Sequence, residues 1–197
     1  MPNPTVDTYN KFPKEYAEKF SHLSVSKYID QAFDKLGKEN PRVVELGCGS
    51  GRDAEEICNR TNSYKGVDIS EGLLEIARQK NIPNAKFYLS SIQDYSFEGT
   101  VDIFFAVASL LHLNKEDFSQ VLKRVHKALS DQGLFQILVK YGEYKGEEIV
   151  KDIYGERIFY FYQLSDIKNM AVGYEVVYEE RKTVGKTEWI SILLRKK

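Results

Sequence analysis

The stretch that decides the fold is Val43-Val44-Glu45-Leu46-Gly47-Cys48-Gly49-Ser50-Gly51-Arg52. Residues 42–46 are rich in β-branched and apolar side chains, which predicts a buried strand that ends in a glycine turn. A helix is predicted over residues 52–59, so the glycines let a ligand approach the backbone between a strand and a helix. Arg52 stands where a dinucleotide-binding G-x-G-x-x-G turn has its third glycine, and Gly51 instead gives G-x-G-x-G. This spacing disfavours a nicotinamide cofactor.

Downstream of this turn, apolar strands alternate with amphipathic helices. Strands are predicted over residues 64–68, 85–89, 101–107 and 134–140, and helices over residues 71–79 and 114–129. Ser70 and Asn114 stand where helix N-caps are expected. The alternation predicts an α/β fold, a Rossmann-like three-layer sandwich with a mainly parallel sheet and helices on both faces. Ligands of such folds bind at the carboxyl ends of the strands.

The two ends of the chain complete this fold. Before the first strand, helices are predicted over residues 9–20, with Pro13 as the favoured starting point, and over residues 24–38. After the fifth strand come a tyrosine-rich segment, residues 141–162, and a short helix, residues 164–171. Strands over residues 174–179 and 189–194 are expected to form an antiparallel hairpin at one edge, which makes a seven-stranded sheet. The length of 197 residues suits one domain covering residues 1–197.

Asp68 ends the second predicted strand, 17 positions after Gly51. A carboxylate there can accept hydrogen bonds from both hydroxyls of a ribose. Asp is also common as a helix cap or turn residue at strand ends, and that interpretation is equally probable for an isolated Asp. The glycine turn and Asp68 together are a more specific signal, and they favour an adenosine-containing ligand.

Composition limits the partners. With 28 basic and 29 acidic residues the net charge is −1, which gives no global attraction to nucleic acid. No apolar stretch is long enough to span a bilayer and no secretory signal is recognisable, so the expected location is the cytoplasm. Cys48 and Cys58 lack the neighbouring Cys or His residues that a zinc site needs, and neither a metal nor a disulfide is expected. A small-molecule substrate is favoured.

The sequence resembles the small, single-domain class I S-adenosylmethionine-dependent methyltransferases from about residue 9 to the C-terminus. The most specific stretches are Glu45-Leu-Gly-Cys-Gly-Ser-Gly-Arg-Asp, Gly66-Val-Asp-Ile-Ser and Ala108-Ser-Leu-Leu-His. The resemblance implies that the glycine turn surrounds the amino-acid end of S-adenosylmethionine, that Asp68 holds its ribose and that Ile69 packs on its adenine. The cofactor-binding residues that it implies are Tyr9, Glu45, Gly47, Cys48, Gly49, Gly51, Asp68, Ile69, Leu73, Ser91, Ile92 and Ala106.

One position departs from the family pattern. After the third strand the family commonly carries an acidic residue near the adenine amino group, whereas this chain has Ser91 there and its nearest acid is Asp94. Ser91 and Ile92 can still contact adenine through a hydroxyl group, backbone and apolar surface. The residue that recognises the adenine amino group is therefore left open by the sequence.

Methyl transfer from a sulfonium depends mainly on positioning and on exclusion of water, and it needs a base only when the acceptor is protonated. The end of the fourth strand, residues 106–112, should reach the methyl-bearing sulfur. His112 is the candidate general base, because an unperturbed imidazole titrates near neutrality. The alternative, that His112 packs or caps beside the following helix, is somewhat favoured for a lone His.

Two segments are expected to form the acceptor site. Residues 1–40 are interpreted as a helical lid that brings Tyr9 to the cofactor and Tyr16 to the substrate, although an aromatic stripe is equally typical of a core. Residues 141–165 are interpreted as a substrate-loop insertion. Lys140 and Arg157 are candidates for binding an anionic acceptor, and Tyr160 for enclosing an aromatic or cationic one. A solvated loop anchored by aromatic residues is at least as probable.

The favoured function is transfer of a methyl group from S-adenosylmethionine to a small-molecule acceptor, with release of S-adenosylhomocysteine. A protein methyltransferase and a regulatory module that binds S-adenosylmethionine without catalysis are the alternatives, because acceptor specificity on such a fold lies in its loops. A nucleic-acid base methyltransferase is disfavoured because Ala108-Ser-Leu-Leu-His replaces the Asn/Asp-Pro-Pro-aromatic motif. The acceptor atom and the oligomeric state are not determined by the sequence.

Overall fold

The computed structural model describes residues 3–197, and a seven-stranded sheet lies at its centre. The strands of this sheet are β1 (Val43–Leu46), β2 (Tyr64–Asp68), β3 (Ala85–Leu89), β4 (Val101–Val107), β5 (Leu129–Lys140), β8 (Tyr174–Val184) and β9 (Thr187–Lys196). A separate hairpin consists of β6 (Glu148–Asp152) and β7 (Gly155–Phe159). The helices are α1 (Pro4–Lys11), α2 (Pro13–Phe20), α3 (Ser26–Leu36), α4 (Ala54–Cys58), α5 (Glu71–Gln79), α6 (Lys115–Ala128) and α7 (Leu164–Met170), with a 3₁₀ turn at Leu110–His112.

The strand order is β3-β2-β1-β4-β5-β9-β8. The first five of these strands are parallel, whereas β9 pairs antiparallel with β5 and β8 pairs antiparallel with β9. This confirms the predicted mainly parallel sheet with an antiparallel C-terminal hairpin. The chain builds outward from β1 through β2 to β3 and then continues on the other side of β1 with β4. The resulting switch point between β1 and β4 leaves a crevice at their carboxyl ends, where such folds bind ligands.

Strand β4 shows why both faces of the sheet need helices. All seven of its residues are buried, and successive side chains point to opposite faces. Ile103 and Phe105 pack with the apolar face of α3, whereas Phe104 and Ala106 pack with that of α6. Asn114 caps α6 by accepting a hydrogen bond from the backbone N–H of Asp117, as predicted.

The terminal thirds differ from the sequence-based expectations. Pro13 begins α2, but a separate helix, α1, precedes it because Asn3 caps Pro4–Lys11 through the backbone N–H of Thr5. The hairpin β6–β7 was not predicted within residues 141–165, because its charged residues hide the alternation of a strand. Strands β8 and β9 extend well beyond residues 174–179 and 189–194, since their ends near the turn are charged and solvated. Strand β5 begins at Leu129, which pairs with Val101.

The segment expected to be a lid, residues 1–40, has two different parts; residues 1 and 2 lie outside the described chain. Helix α3 packs on the sheet and belongs to the core. Helices α1 and α2 instead cross the carboxyl ends of the strands. Helix α1 is hydrogen-bonded to β7 through Thr5 and Thr8, and the side-chain Oδ1 of its Asn10 accepts hydrogen bonds from the Ser70 hydroxyl and the Gly72 N–H at the start of α5. None of the helices in residues 3–197 combines the length and apolarity needed to cross a membrane.

Asp102 lies near the amino end of β4, at the edge of the sheet opposite the ligand-binding crevice, and it connects four parts of the chain. Its buried carboxylate accepts hydrogen bonds from the Lys38 ammonium, the Arg42 backbone N–H and the Ser130 hydroxyl, at 2.7–2.8 Å. These donors hold the pKa of Asp102 at about 2, although burial alone would raise it. The free energy that Asp102 contributes is therefore complete above pH about 4 and is lost as the pH falls through about 2.

We expect Asp102→Ala to lower the free energy of unfolding by about 1 to 3 kcal/mol, because it leaves the Arg42 N–H and the Ser130 hydroxyl without their acceptor. Asp102→Asn retains an acceptor and should lose less. Urea unfolding followed by circular dichroism at pH 7 measures both. Lys38→Ala is the matched control, because the half-exposed Lys38 leaves Asp102 with its other donors. A stability of Asp102→Ala equal to that of the unmodified protein would contradict the assignment.

Candidate active site

A cavity of about 750 Å³ lies at the carboxyl ends of the parallel strands, below α1 and α2. It extends from the glycine turn after β1 and the end of β2 to the ends of β4 and β5 and the hairpin β6–β7. Most of the site residues proposed from the sequence line it together: Tyr9, Tyr16, Glu45, Gly47, Cys48, Gly49, Asp68, Ile69, Leu73, Ser91, Ile92, His112, Lys140, Arg157 and Tyr160. Residues that are more than 100 positions apart thus share one site.

The glycine turn is pressed against the loop that follows β4. Gly47 has φ +77°, and a Cβ atom added to it would lie 2.3 Å from the Cβ of Ser109. The Gly47 N–H donates to the Val67 carbonyl oxygen at 2.7 Å, and the Ser109 hydroxyl donates to the Leu46 carbonyl oxygen at 2.6 Å. Only glycine satisfies this combination of backbone conformation and close contact. The wall of the cavity is therefore fixed at the switch point between β1 and β4.

Asp68 holds the glycine turn from the other side. One carboxylate oxygen accepts a hydrogen bond from the Gly49 N–H at 2.7 Å, and the other accepts one from the Ser70 N–H at 2.9 Å. Burial raises the pKa of Asp68, and these two hydrogen bonds oppose that rise. Because each carboxylate oxygen can accept more than one hydrogen bond, both retain capacity for a ligand hydroxyl. Asp68 thus shapes the turn and still faces the cavity.

Glu45 lies buried at the end of β1, where its carboxylate accepts a hydrogen bond from the Tyr64 hydroxyl at 2.5 Å. Burial raises the pKa of Glu45 to about 8 and neighbouring Asp53 adds to the rise, whereas Tyr64 and Arg52 oppose it. Asp53 also lines the cavity and receives two hydrogen bonds from Arg52, at 2.6 and 2.7 Å. A ligand with a positively charged amino group fits this acidic end, because it would compensate the buried carboxylates.

Two residues proposed as cofactor contacts do not line the cavity. Gly51 faces α5, where an added Cβ would lie 3.1 Å from the Cβ of Ala77, so its role is to let the helix pack closely against the turn. Ala106 points into the core below α6 and is fully buried. The side of the cavity next to β4 is formed instead by Val107, Ala108 and Ser109. The carboxyl end of β4 thus reaches the cavity, as expected, but it does so through Val107 and the two residues after it and not through Ala106.

In the region after β3, Ser91 is hydrogen-bonded to Asp94. The Ser91 hydroxyl donates to the Asp94 carboxylate at 2.6 Å, and the Asp94 N–H donates to the Ser91 oxygen at 3.0 Å. Both residues line the cavity beside Ile92 and the exposed side chain of Ile69. A carboxylate is therefore present at this wall, three residues later than the family pattern places it.

His112 has both ring nitrogens engaged. Its Nδ1 lies 2.5 Å from the Ile158 carbonyl oxygen, which can only accept, so Nδ1 carries the proton and Nε2 accepts from the Tyr9 hydroxyl at 3.2 Å. Burial, together with the charges of Arg157 and Lys140, lowers the pKa of His112 to about 4, against the opposing effect of the hydrogen bond to Ile158. A neutral imidazole with so low a proton affinity is a poor general base at pH 7. The contacts favour a role in positioning Tyr9.

The opposite end of the cavity from Glu45 is cationic and aromatic. The Lys140 ammonium nitrogen lies 3.6 Å from the centroid of the Phe159 ring, and the Arg157 guanidinium carbon lies 5.2 Å from the same centroid. Arg157 is only 8% exposed and pairs with Asp152 at 2.7 Å, and Tyr16 contacts the same Asp152 at 3.4 Å. Tyr16, Lys140 and Arg157, three of the four residues proposed for the acceptor site, therefore lie close together although they come from different segments. Tyr160 lines the same end and donates to Glu147 at 3.3 Å.

Thr187 and Trp189 also line the cavity, and neither was among the site residues predicted from the sequence. Their position follows from the antiparallel pairing of β9 with β5, which places Trp189 opposite Lys140. Because β9 runs against the parallel strands, its first residues lie at the carboxyl edge of the sheet. The predicted antiparallel hairpin contained this signal. Arg52 and Asp53 were also missed as cavity residues, and their position directly after the glycine turn was the available signal.

Comparisons with known proteins show which family the central part of the chain resembles. Residues 43–133 match the family of methyltransferase domains. Trans-aconitate 2-methyltransferase of Variovorax paradoxus is 36% identical over 102 residues, which are 50% of this chain and 38% of that protein. Malonyl-[acyl-carrier protein] O-methyltransferase of Bacillus anthracis is 30% identical over 96 residues, 47% of this chain and 35% of that protein. The chain thus spans less than half the length of these relatives.

Solved structures extend the likeness to the whole fold. An S-adenosylmethionine-dependent methyltransferase from Clostridium acetobutylicum has a TM-score of 0.76 at 17% identity, covering 95% of this chain and 98% of that one. Magnesium protoporphyrin IX methyltransferase from Synechocystis with bound S-adenosylhomocysteine has a TM-score of 0.75 at 14% identity, with 98% of both chains covered. Residues 43–133 of this chain thus match the methyltransferase-domain family in sequence, and the described residues have the fold of S-adenosylmethionine-dependent methyltransferases.

Proposed function

We propose that the protein transfers the methyl group of S-adenosylmethionine to a small-molecule acceptor in the cytoplasm. The observation that carries this proposal is the Asp68 carboxylate, fixed by the Gly49 and Ser70 N–H groups at the wall of a cavity that continues to Lys140. Its volume of about 750 Å³ is in the range of small-molecule sites. Cys48 and Cys58 are both free thiols, as is usual in a reducing compartment.

The residues present fit S-adenosylmethionine. Asp68 would accept hydrogen bonds from the ribose hydroxyls, and Glu45 with the glycine turn would face the amino-acid end, where the acidic surroundings suit its ammonium group. The adenine would lie against a mixed apolar and polar wall made by Ile69, Leu73, Ser91, Ile92 and Asp94. The chemistry that the cofactor supplies when bound is an electrophilic methyl group on a sulfonium sulfur.

The chain itself supplies position and shelter. Helices α1 and α2 cover the cavity, and the hydrogen bonds of α1 to β7 and to the start of α5 hold this cover at both sides. Tyr9, fixed by His112, reaches into the cavity from above. A covered site excludes water that would compete with the acceptor, and in-line transfer depends on such positioning. Trans-aconitate and magnesium-protoporphyrin, named as acceptors of two relatives, are small molecules and support an acceptor of this kind.

The proposal is tested by calorimetric titration with S-adenosylmethionine, S-adenosylhomocysteine and NADH in parallel. We expect binding of both sulfur nucleosides and none of NADH. Binding of NADH alone would overturn the proposal. Enzyme and regulatory module are then separated by turnover to S-adenosylhomocysteine with a panel of small-molecule acceptors and with protein acceptors, because binding alone is common to both.

We expect Asp68→Ala to weaken S-adenosylhomocysteine binding about 5- to 150-fold, corresponding to the loss of about 1 to 3 kcal/mol of hydrogen bonding to the ribose. Titration calorimetry gives the affinity, and circular dichroism shows whether the variant is folded. Asp131→Ala, which removes an exposed carboxylate near the start of β5, is the matched control for charge. A folded Asp68→Ala variant with unchanged affinity would contradict the role of Asp68.

We expect the imidazole of His112 to stay neutral, protonated on Nδ1, between pH 5.5 and 8, because its pKa is lowered to about 4. Nitrogen-15 NMR of labelled histidines measures this, with His112→Gln used to assign the signal. Tyr9→Phe should shift the Nε2 resonance, since it removes the hydroxyl that donates to this atom. A titration midpoint of His112 between pH 6 and 7 would restore it as a candidate general base.

A further inference from the structure

The cationic end of the cavity contains a lysine that is not neutralised by the protein. Lys140 lines the cavity, and among residues 3–197 its ammonium group has neither an ion pair nor a hydrogen bond; it lies 3.6 Å from the centroid of the Phe159 ring and 5.8 Å from that of Phe161. Partial burial lowers the pKa of Lys140 to about 8, and the positive charge of Arg157 contributes. A charged group kept in such surroundings is stabilised when an anion binds beside it.

Arg157 offers a second unused donor in the same place. Its side chain is more than nine-tenths buried and lines the cavity, yet its Nε atom has no hydrogen-bond partner in the described chain. One of its terminal nitrogens donates to Asp152 at 2.7 Å, and Lys19 contacts the same carboxylate at 3.3 Å. Asp152 therefore serves two cations, and it engages only a terminal nitrogen of Arg157 and not its Nε atom. A buried N–H without an acceptor costs about 1 to 3 kcal/mol, which a ligand oxygen would recover.

The two donors flank one ring. Lys140 and Arg157 both contact Phe159, which lies next to the His112 ring with 4.9 Å between centroids. The acidic residues Glu45, Asp53 and Asp68 belong instead to the opposite end, around the glycine turn. The cavity is thus polarised, with an acidic end that suits the cofactor's amino group and a cationic end at the acceptor position.

We propose that the acceptor is a small carboxylic acid, bound through its carboxylate by Lys140 and Arg157 and methylated on a carboxylate oxygen. This inference rests on the proposed methyltransferase function and names its substrate class. An amine or a neutral alcohol would leave Lys140 and the sulfonium without a counterion and would place no anionic acceptor beside the free Nε of Arg157. A carboxylate compensates them, and its planar oxygens match the donors of a guanidinium group.

The reaction is balanced without a base. A lone pair of the carboxylate oxygen forms the bond to the methyl carbon while the bond from that carbon to sulfur breaks, and the bonding electrons remain on sulfur. The positive sulfonium and the negative carboxylate become a neutral thioether and a neutral methyl ester, and no proton is released. This agrees with the engagement of both His112 nitrogens. The ester has lost the charge that bound the acid, so the cationic end favours substrate over product.

The binding test uses the protein saturated with S-adenosylhomocysteine and three probes, benzoate, malonate and trans-aconitate, each compared with its amide by calorimetry. We expect at least one acid to bind at least tenfold more tightly than its amide. Lys140→Met should abolish this preference, Lys140→Arg should retain it, and Lys186→Met, which removes an exposed lysine in the β8–β9 turn, should leave it unchanged. Equal affinity of every acid and its amide, or a preference that survives Lys140→Met, would overturn the inference.

A chemical readout is independent of binding strength. With methyl-labelled S-adenosylmethionine and the preferred acid, mild alkali should release the label as methanol, since methyl esters are hydrolysed whereas N-methyl, S-methyl and C-methyl products are not. A base-stable labelled product would refute the carboxylate acceptor. Failure of the underlying function is distinguishable, because the unmodified protein would then either fail to bind S-adenosylhomocysteine or form no labelled product with any acceptor of the panel. Lys140→Met should bind this nucleoside with an affinity within about twofold of the unmodified protein.

Discussion

The site depends on a carboxylate that two backbone N–H groups hold in place. Asp68 joins the glycine turn after β1 to the start of α5, so three elements meet at one buried side chain. Backbone hydrogen bonds from Gly47 and Cys48 to Val67 hold the start of the turn against β2, and Asp68 holds its next residue, Gly49. The same atoms that organise the backbone also face the cavity, so shaping the turn and binding a ligand are one function of Asp68 and not two competing interpretations.

Local patterns in the sequence were sufficient for the central fold. The bounds of β2, β3, β4 and α5 were predicted to the residue, because β-branched and apolar runs, the Ser70 cap and the glycine turn are all short-range signals. The hairpin β6–β7 was missed because its stability comes from contacts with α1, such as the hydrogen bond from the Thr8 hydroxyl to the Glu156 carbonyl oxygen. These two residues lie 148 positions apart in the chain. Propensity in the segment itself carries no trace of such contacts.

The site was predicted unevenly for a related reason. Positions next to the glycine turn and at strand ends follow from topology, and most of them line the cavity, whereas Ala106 shows that one residue of register decides between the cavity and the core. What a side chain does there depends on its surroundings. His112 was chosen for its ordinary titration range, but burial between Ile158 and Tyr9 removes that property. No sequence pattern reports the partners of a buried imidazole.

The segment between β5 and α7 leaves the sheet and returns to it at one point, where Tyr141 pairs with Tyr162. Its hairpin carries Arg157 and Phe159, whereas the residues facing the glycine turn come from other parts of the chain. Insertions or deletions between two adjacent attachment points cost little loop-closure entropy. Evolution can therefore exchange Arg157 and Phe159 together with their hairpin while the residues around the glycine turn are inherited unchanged, and lineages with one sheet can diverge in the molecules that they modify.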